Sequence, residues 1–319
     1  MKELRIYFEC LEQAAHFIKP ILEQTEEFKK NLFEIKLVKL ISNFAVYSRY
    51  VAPLVYLKDP DILITVIEDG IEYPLFQLEI STAVFTEDHE LQRFDGLVAS
   101  IENNCIYGKV TPREKTSQSA HGGNIKFNYL TSYKVVYEKF GKLAFHFDWP
   151  CDGNGNVVIN EEYLSCPREI KPLSLFLYHL ITFVLTNRID FARWLVQFEA
   201  HLLKEKIFSH WLEQLNSFKL PDLKKLNTSR TEWKEETNEI HLKINRFGHA
   251  MDPERGMLAY YGTVCTTTIS KMLFDKNNAA WYKDTPMDGT ISKFLSKHGF
   301  KTGYDYLYCV LLHTRFRSI

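Results

Sequence analysis

The sequence predicts a mixed α/β fold of the α+β kind: a central mixed sheet flanked by helices, followed by a largely helical C-terminal region. Three observations predict it. Apolar residues recur at helical spacing through 8–50. A β-branched run at 62–67 is joined by Asp69-Gly70 to a second extended run. Helical spacing then returns across 172–215. With 319 residues, the chain has the length of one large domain or two modest ones, at roughly 100–200 residues each. The expected division is 1–165 for the sheet-bearing core and 166–319 for a helical and mixed region.

Each element has its own local reason. Phe8, Leu11, Ala15 and Ile18, then Phe28, Leu32, Ile35 and Val38, recur at spacings of three and four, and Pro20 and Pro53 punctuate this helical stretch. Ile62, Leu63, Ile64, Val66 and Ile67 form a strand, Asp69-Gly70 is a hairpin turn, and Ile71, Tyr73, Leu75, Leu78 and Ile80 continue as the return strand. A helix is expected over 86–103, with Thr86 as N-cap, Glu87 and Asp88 at its positive end and Glu90 completing part of a capping box. The stretch 111–128 is rich in Thr, Ser, Gln, Gly and Lys and reads as a long loop, a class that is usually functional or disordered. Further strands are expected at 133–137 and 143–147, and a turn at 152–156. Residues 222–238 read as a charged linker or exposed loop, and 239–245 as a strand.

Lys and Arg number 39 and Asp and Glu 40, so the net charge is -1. A globally basic nucleic-acid binder is excluded, but a locally basic one is not, because a partner feels the local field. The charges are distributed unevenly. Between 61 and 100, nine acidic residues face only Arg93. Between 101 and 147, seven Lys and Arg face three Glu. An acidic block beside a basic one suits a metal site next to a phosphate-binding surface, and ordinary solvated faces give the same pattern.

The six cysteines form no C-x-x-C pair, so a structural zinc site is not indicated, and they are sparse for a chain this long, which argues against a disulfide framework. Lys2, Glu3, Arg5 and Glu9 leave no apolar signal-peptide core at the N-terminus. The most apolar run, 172–185, contains His179 and falls short of the roughly 20 residues of a membrane span. A soluble, cytoplasmic protein with no membrane partner is expected.

The chemistry-bearing pattern is Pro60-Asp61 at the start of one strand and Glu79-Ile80-Ser81 at the end of the next. Carboxylates on adjacent strands, about 5 Å apart, can converge on one edge. A phosphodiester hydrolase uses such carboxylates to hold a divalent cation, which polarises the phosphoryl oxygen and generates hydroxide.

This pattern, with helices before and after it, resembles the PD-(D/E)XK nuclease superfamily, to which most Type II restriction endonucleases belong. The resemblance covers about residues 8–147. It implies a Mg²⁺-dependent endonuclease acting on double-stranded DNA, with Asp61 and Glu79 as metal ligands, 1–165 as nuclease core, and 166–319 serving recognition or dimerisation as a homodimer. The family usually has Lys two residues after the second carboxylate, where this chain has Ser81. Either another group supplies the cation or the protein has lost activity. The latter alternative is a catalytically inactive DNA-binding or interaction protein on the same fold.

His89, Gln92 and Arg93 lie within about a turn of one another on the expected helix. Gln92 matches a helix Gln that faces the site in some members. With Ser81 and Lys58, His89 and Gln92 are the candidates to orient water or charge. Arg113, Lys115 and Lys126 in the long loop are candidate phosphate contacts, and Arg246 and Arg255 candidate base readers. The plainer readings stay open: Asp61 as a turn cap, Glu79 paired with a lysine, His89 and Gln92 on a solvated face. Walker, G-x-G-x-x-G, H-E-x-x-H and G-x-S-x-G motifs are all lacking.

Overall fold

A computed structural model describes residues 2–41, 46–57, 59–81, 94–112, 129–217, 231–234 and 239–242. Its centre is a six-stranded mixed sheet. The strands are β1 (Lys2–Phe8), β2 (Phe33–Lys39), β3 (Ile62–Glu68), β4 (Ile71–Ile80), β5 (Ile106–Thr111) and β6 (Ala144–Asp148), in the order β2-β1-β3-β4-β5-β6. Strands β1, β3 and β4 form an antiparallel meander. Strand β2 lies parallel to β1, while β5 and β6 lie parallel to β4 and to each other.

The parallel joins follow from the helices between them. Helix α4 (Phe94–Glu102) separates β4 from β5, and α5 (Tyr129–Phe140) separates β5 from β6. A parallel pair needs a crossover of this length, whereas β3 and β4 need only a turn. That turn is Asp69-Gly70, with φ of 51° and 76°. Positive φ at both central residues is the type I′ geometry that the Asp-Gly pair favours.

Between β1 and β2 run a π-helical segment (Gln13–Ile18), α1 (Lys19–Glu23) and α2 (Glu26–Lys29); α3 (Ala52–Leu57) precedes β3. Thr25 caps α2. Its hydroxyl accepts from Phe28 N at 3.4 Å and donates to Leu22 O at 2.7 Å. Among the described residues, 171–217 are largely helical: α6 (Lys171–Thr186), α7 (Trp194–Leu202) and α8 (Lys206–Ser217). Leu173, Phe176, Leu177 and Leu180 of α6 and Phe198 of α7 join the same apolar cluster as Ile64, Phe76, Leu78 and Phe145 of the sheet. A smaller cluster gathers Tyr7 and Leu63 with Val51, Leu54 and Val55 near α3 and Ala99 of α4. A two-stranded hairpin, β7 (Thr231–Lys234) and β8 (Glu239–Leu242), is antiparallel. The mixed α/β class and the helical C-terminal region agree with expectation.

Several elements differ from the sequence reading: β5 stands where no strand was expected, β7 lies within the expected linker at 222–238, and three more differ as follows. Strand β1 replaces an unassigned N-terminus. Strand β2 replaces part of the expected helix: Phe33, Ile35 and Leu37 also alternate with Glu34 and Lys36, and pairing with β1 selects that period. Residues 133–137 are helical rather than extended. Their β-branched and aromatic content suggests a strand, yet Tyr133, Val136 and Tyr137, spaced by three and four, pack on the sheet's core. Tertiary packing overrides propensity here.

No helix among the described residues is long and apolar enough to cross a membrane.

Candidate functional site

Successive side chains of a strand alternate between faces, so residues paired across strands share a face. Register therefore builds the site. Glu79 of β4 pairs with Lys109 of β5, and Lys109 pairs with His146 of β6. A carboxylate, an ammonium and an imidazole thus stand in one row on three adjacent parallel strands. One step toward the strands' N-termini, Gln77 pairs with Tyr107. One step toward their carboxyl ends, Ser81 N donates to Val110 O at 2.9 Å, and Thr111 pairs with Asp148. Asp61 lies at the mouth of β3, where its Oδ2 accepts from Ile80 N at 2.6 Å. Its carboxylate thereby ties the β3 start to the end of β4, next to Glu79.

The row is buried. Glu79 is 1% exposed, Lys109 2% and His146 8%. Isolated charges avoid such positions because desolvation is costly, and a row of mixed sign offsets that cost. Helix α4 covers Gln77 and Glu79 closely. A Cβ on Gly96 would lie 2.8 Å from Gln77 Nε2 and 3.2 Å from Glu79 Oε1. One turn later, Ser100 Oγ donates to Gln77 Oε1 at 3.0 Å, and Gln77 Nε2 in turn donates to Glu79 Oε1 at 3.4 Å. Gly96 and Ser100 thus form the helix surface that orients Gln77 and, through it, Glu79. The His146 ring meets Thr111 O through Nε2 at 3.0 Å.

Two hydroxyls complete the arrangement. Ser81 Oγ and Thr111 Oγ1 are buried and have no hydrogen-bond partner among the described residues. Buried polar atoms are nearly always satisfied, and exceptions call for an explanation. These two lie on neighbouring strands, just beyond the Glu79–Lys109 pair and on its face. Together with the ammonium they are suited to an anionic oxygen.

A second buried carboxylate shows the contrast. Glu72 Oε1 accepts from Tyr7 OH and Thr65 Oγ1, each at 2.8 Å, and Glu72 Oε2 from Arg5 at 3.5 Å. Burial, with Glu72 beside it, pushes the Tyr7 phenol well above its ordinary range. That cluster is closed on itself and reads as structural.

One expectation is overturned. Asp61 and Glu79 were expected to ligate Mg²⁺, but no group of three or more His, Cys, Asp or Glu among the described residues could hold a metal ion. The physical reasons are local. Asp61 commits an oxygen to a backbone amide, and Glu79 has a lysine rather than a carboxylate as its register neighbour.

Of the other expected site residues, Ser81 lies within the arrangement. His89, Gln92, Lys58, Arg113, Lys115, Lys126, Arg246 and Arg255 fall outside the described residues. Lys109, His146, Gln77 and Thr111 escaped the sequence reading. The available signal was alternation: Tyr107, Lys109 and Thr111 interleave with Ile106, Gly108 and Val110. The chain matches no protein-family model, no curated protein and no solved structure.

Proposed function

We propose that the protein is a DNA-cleaving phosphodiester hydrolase built on a restriction-endonuclease-like core, with Asp61, Glu79, Lys109 and His146 as its site. The observation that supports this reading is Lys109. The nuclease motif expects a lysine two residues after Glu79, where Ser81 stands. Lys109 stands opposite Glu79 on the adjacent parallel strand. A cation contributed across the strands meets the same electrostatic need as one contributed along the strand. The antiparallel meander followed by a helix and a parallel strand also suits such a core.

In this reading the Lys109 ammonium pairs with a non-bridging phosphoryl oxygen and stabilises the charge that grows there. Ser81 and Thr111 hydroxyls donate to the same phosphate. Glu79, held by Gln77, takes a proton from the attacking water. The new P–O bond forms as the bond to the leaving deoxyribose oxygen breaks, and that oxygen takes a proton from His146 or solvent. Asp61 is a positioning residue that holds the two strand ends together.

The test is conversion of supercoiled plasmid by the full chain, in buffers with a chelator and in buffers with a range of divalent cations. Cutting or nicking by the native chain is expected. Lys109→Ala and Glu79→Gln should each reduce it about 10²–10³-fold. A Lys109→Ala chain that cuts as fast as the native one removes the proposal. The burial of Glu79 and the use of Asp61 as a cap favour a second reading, a DNA-binding protein that does not cut. A shifted but intact DNA band under every condition selects it.

A further inference from the structure

A different part of the molecule carries a cleft. Its volume is about 750 Å³, within the range of small-molecule sites. Tyr73, at the start of β4, lines it with Tyr50 and Phe191. Glu79 lies six residues further along β4, about 20 Å away at a strand's rise. The cleft and the charged row are therefore separate places.

Three partly exposed rings form one wall. Tyr50 and Tyr73 stack with centroids 5.7 Å apart and Tyr73 and Phe191 at 5.4 Å, while Tyr50 and Phe191, 4.5 Å apart, are tilted by 41°. The planes of the first two pairs are both inclined by only 26°. That geometry distinguishes between two ligand classes. A cage for a quaternary ammonium needs rings set apart around an empty centre. Rings 4.5–5.7 Å apart already fill one another's contact distance. What the trio offers is the partly exposed faces of its individual rings, and a ring face recognises a flat ligand by stacking.

The rim supplies polarity. The guanidinium of exposed Arg49 lies 5.4 Å from the Tyr50 ring centroid. Asn103 lines the cleft and is anchored by its Nδ2, which donates to Ala99 O at 2.7 Å. Asp190 lines it too, with Oδ1 accepting from Ala192 N at 3.1 Å. A planar ring with hydrogen-bonding edges and an attached anion fits all three features: the aromatic face for the ring, Asn103 and Asp190 for its edge, and Arg49 for a phosphate.

We infer that this cleft binds a nucleobase, stacked on an exposed ring of the Tyr50–Tyr73–Phe191 group, with Arg49 at its phosphate. The same chemistry is carried by a free nucleotide and by an unpaired base of a single strand, and the experiment separates them. The inference does not depend on the cleavage proposal.

The probe is 2-aminopurine, whose fluorescence falls on stacking. It is offered to the full chain as the free deoxyribonucleoside monophosphate and at the centre of a short single-stranded oligodeoxynucleotide. Saturable quenching is expected with at least one of the two. Quenching of the monophosphate alone assigns the cleft to free nucleotides; quenching of the oligonucleotide assigns it to strand bases. Tyr50→Leu keeps apolar contact with Tyr73 and Phe191 but removes a ring, and should weaken binding at least fivefold. Arg49→Ala changes only an exposed side chain, and should weaken the monophosphate more than the unphosphorylated nucleoside. Absence of saturable quenching in both forms overturns the inference. So does native affinity in both variants. A Lys109→Ala chain should bind the monophosphate probe as the native chain does, so loss of cleavage and loss of this cleft are read separately.

Discussion

Asp61 links two strand ends through one short hydrogen bond to Ile80 N. A charged acceptor makes such a bond stronger than a neutral one, and deleting it leaves a buried amide unsatisfied. Asp61→Ala should therefore cost about 1–3 kcal/mol, and Asp61→Asn less, because an amide oxygen still accepts. Urea unfolding of the two variants checks both the loss and its order. Gly96 and Gly108 give a second pair. A Cβ at 96 meets the ends of flexible Gln77 and Glu79, whereas one at 108 lies 2.3 Å from Phe76 Cζ, in a rigid buried ring. Both alanine variants should be destabilised, by about 1–3 kcal/mol for overpacking, and Gly108→Ala more so. Gly96→Ala should in addition alter the site, because the side chains it displaces belong there. The test is whether its cleavage or DNA binding falls further than its unfolding midpoint explains.

At the scale of the element, capping and periodicity decide which segments are helical. Thr25 holds the start of α2 with a hydroxyl that both accepts and donates. Thr25→Ala should cost about 1 kcal/mol, measurable as a lower thermal midpoint with unchanged secondary structure. The hairpin of β3 and β4 was legible because its signals agree: a β-branched run, Asp-Gly, and a second apolar run. Strand β2 and helix α5 were not, because each carries signals for both periods. In 33–38, Phe33, Ile35 and Leu37 fit a strand while Ile35 and Val38 fit a helix. Only the neighbouring β1 backbone resolves that choice. For 133–137 the aromatic and β-branched residues favour a strand locally, and burial against the sheet favours a helix.

At the scale of the whole molecule, the C-terminal helices add a half-buried titrating group beside the core. His201 of α7 packs among Phe183 and Phe198, with ring centroids 5.6 and 6.2 Å away. Burial lowers its pKa, and His179 and Lys204 act in the same direction while Glu205 opposes them. The folded state therefore takes up this proton less readily than the unfolded chain. Stability contributed by neutral His201 is present above the unfolded value near 6.5. It is lost as pH falls through the folded value. His201→Phe should flatten the fall in melting temperature below about pH 6.5, which parallel melts at pH 7.5 and 5.5 would reveal.

By itself the sequence determined the local choices that only neighbouring residues influence: the Asp69-Gly70 turn, the carboxylates at 61 and 79, and the amphipathic C-terminal helices. It also placed the acidic and basic blocks side by side. Tertiary structure decided which side chains share a row. Glu79 and Lys109 are thirty residues apart in the chain, and Lys109 and His146 are further apart still. They become neighbours because helices α4 and α5 return the chain to a parallel register, and a shift of one residue would turn each strand's set to the opposite face. The same register that brings a lysine to Glu79 also removes the basis for the expected Mg²⁺ site, since a metal needs several donors converging in space. Spacing along the chain describes only those that happen to be close in sequence.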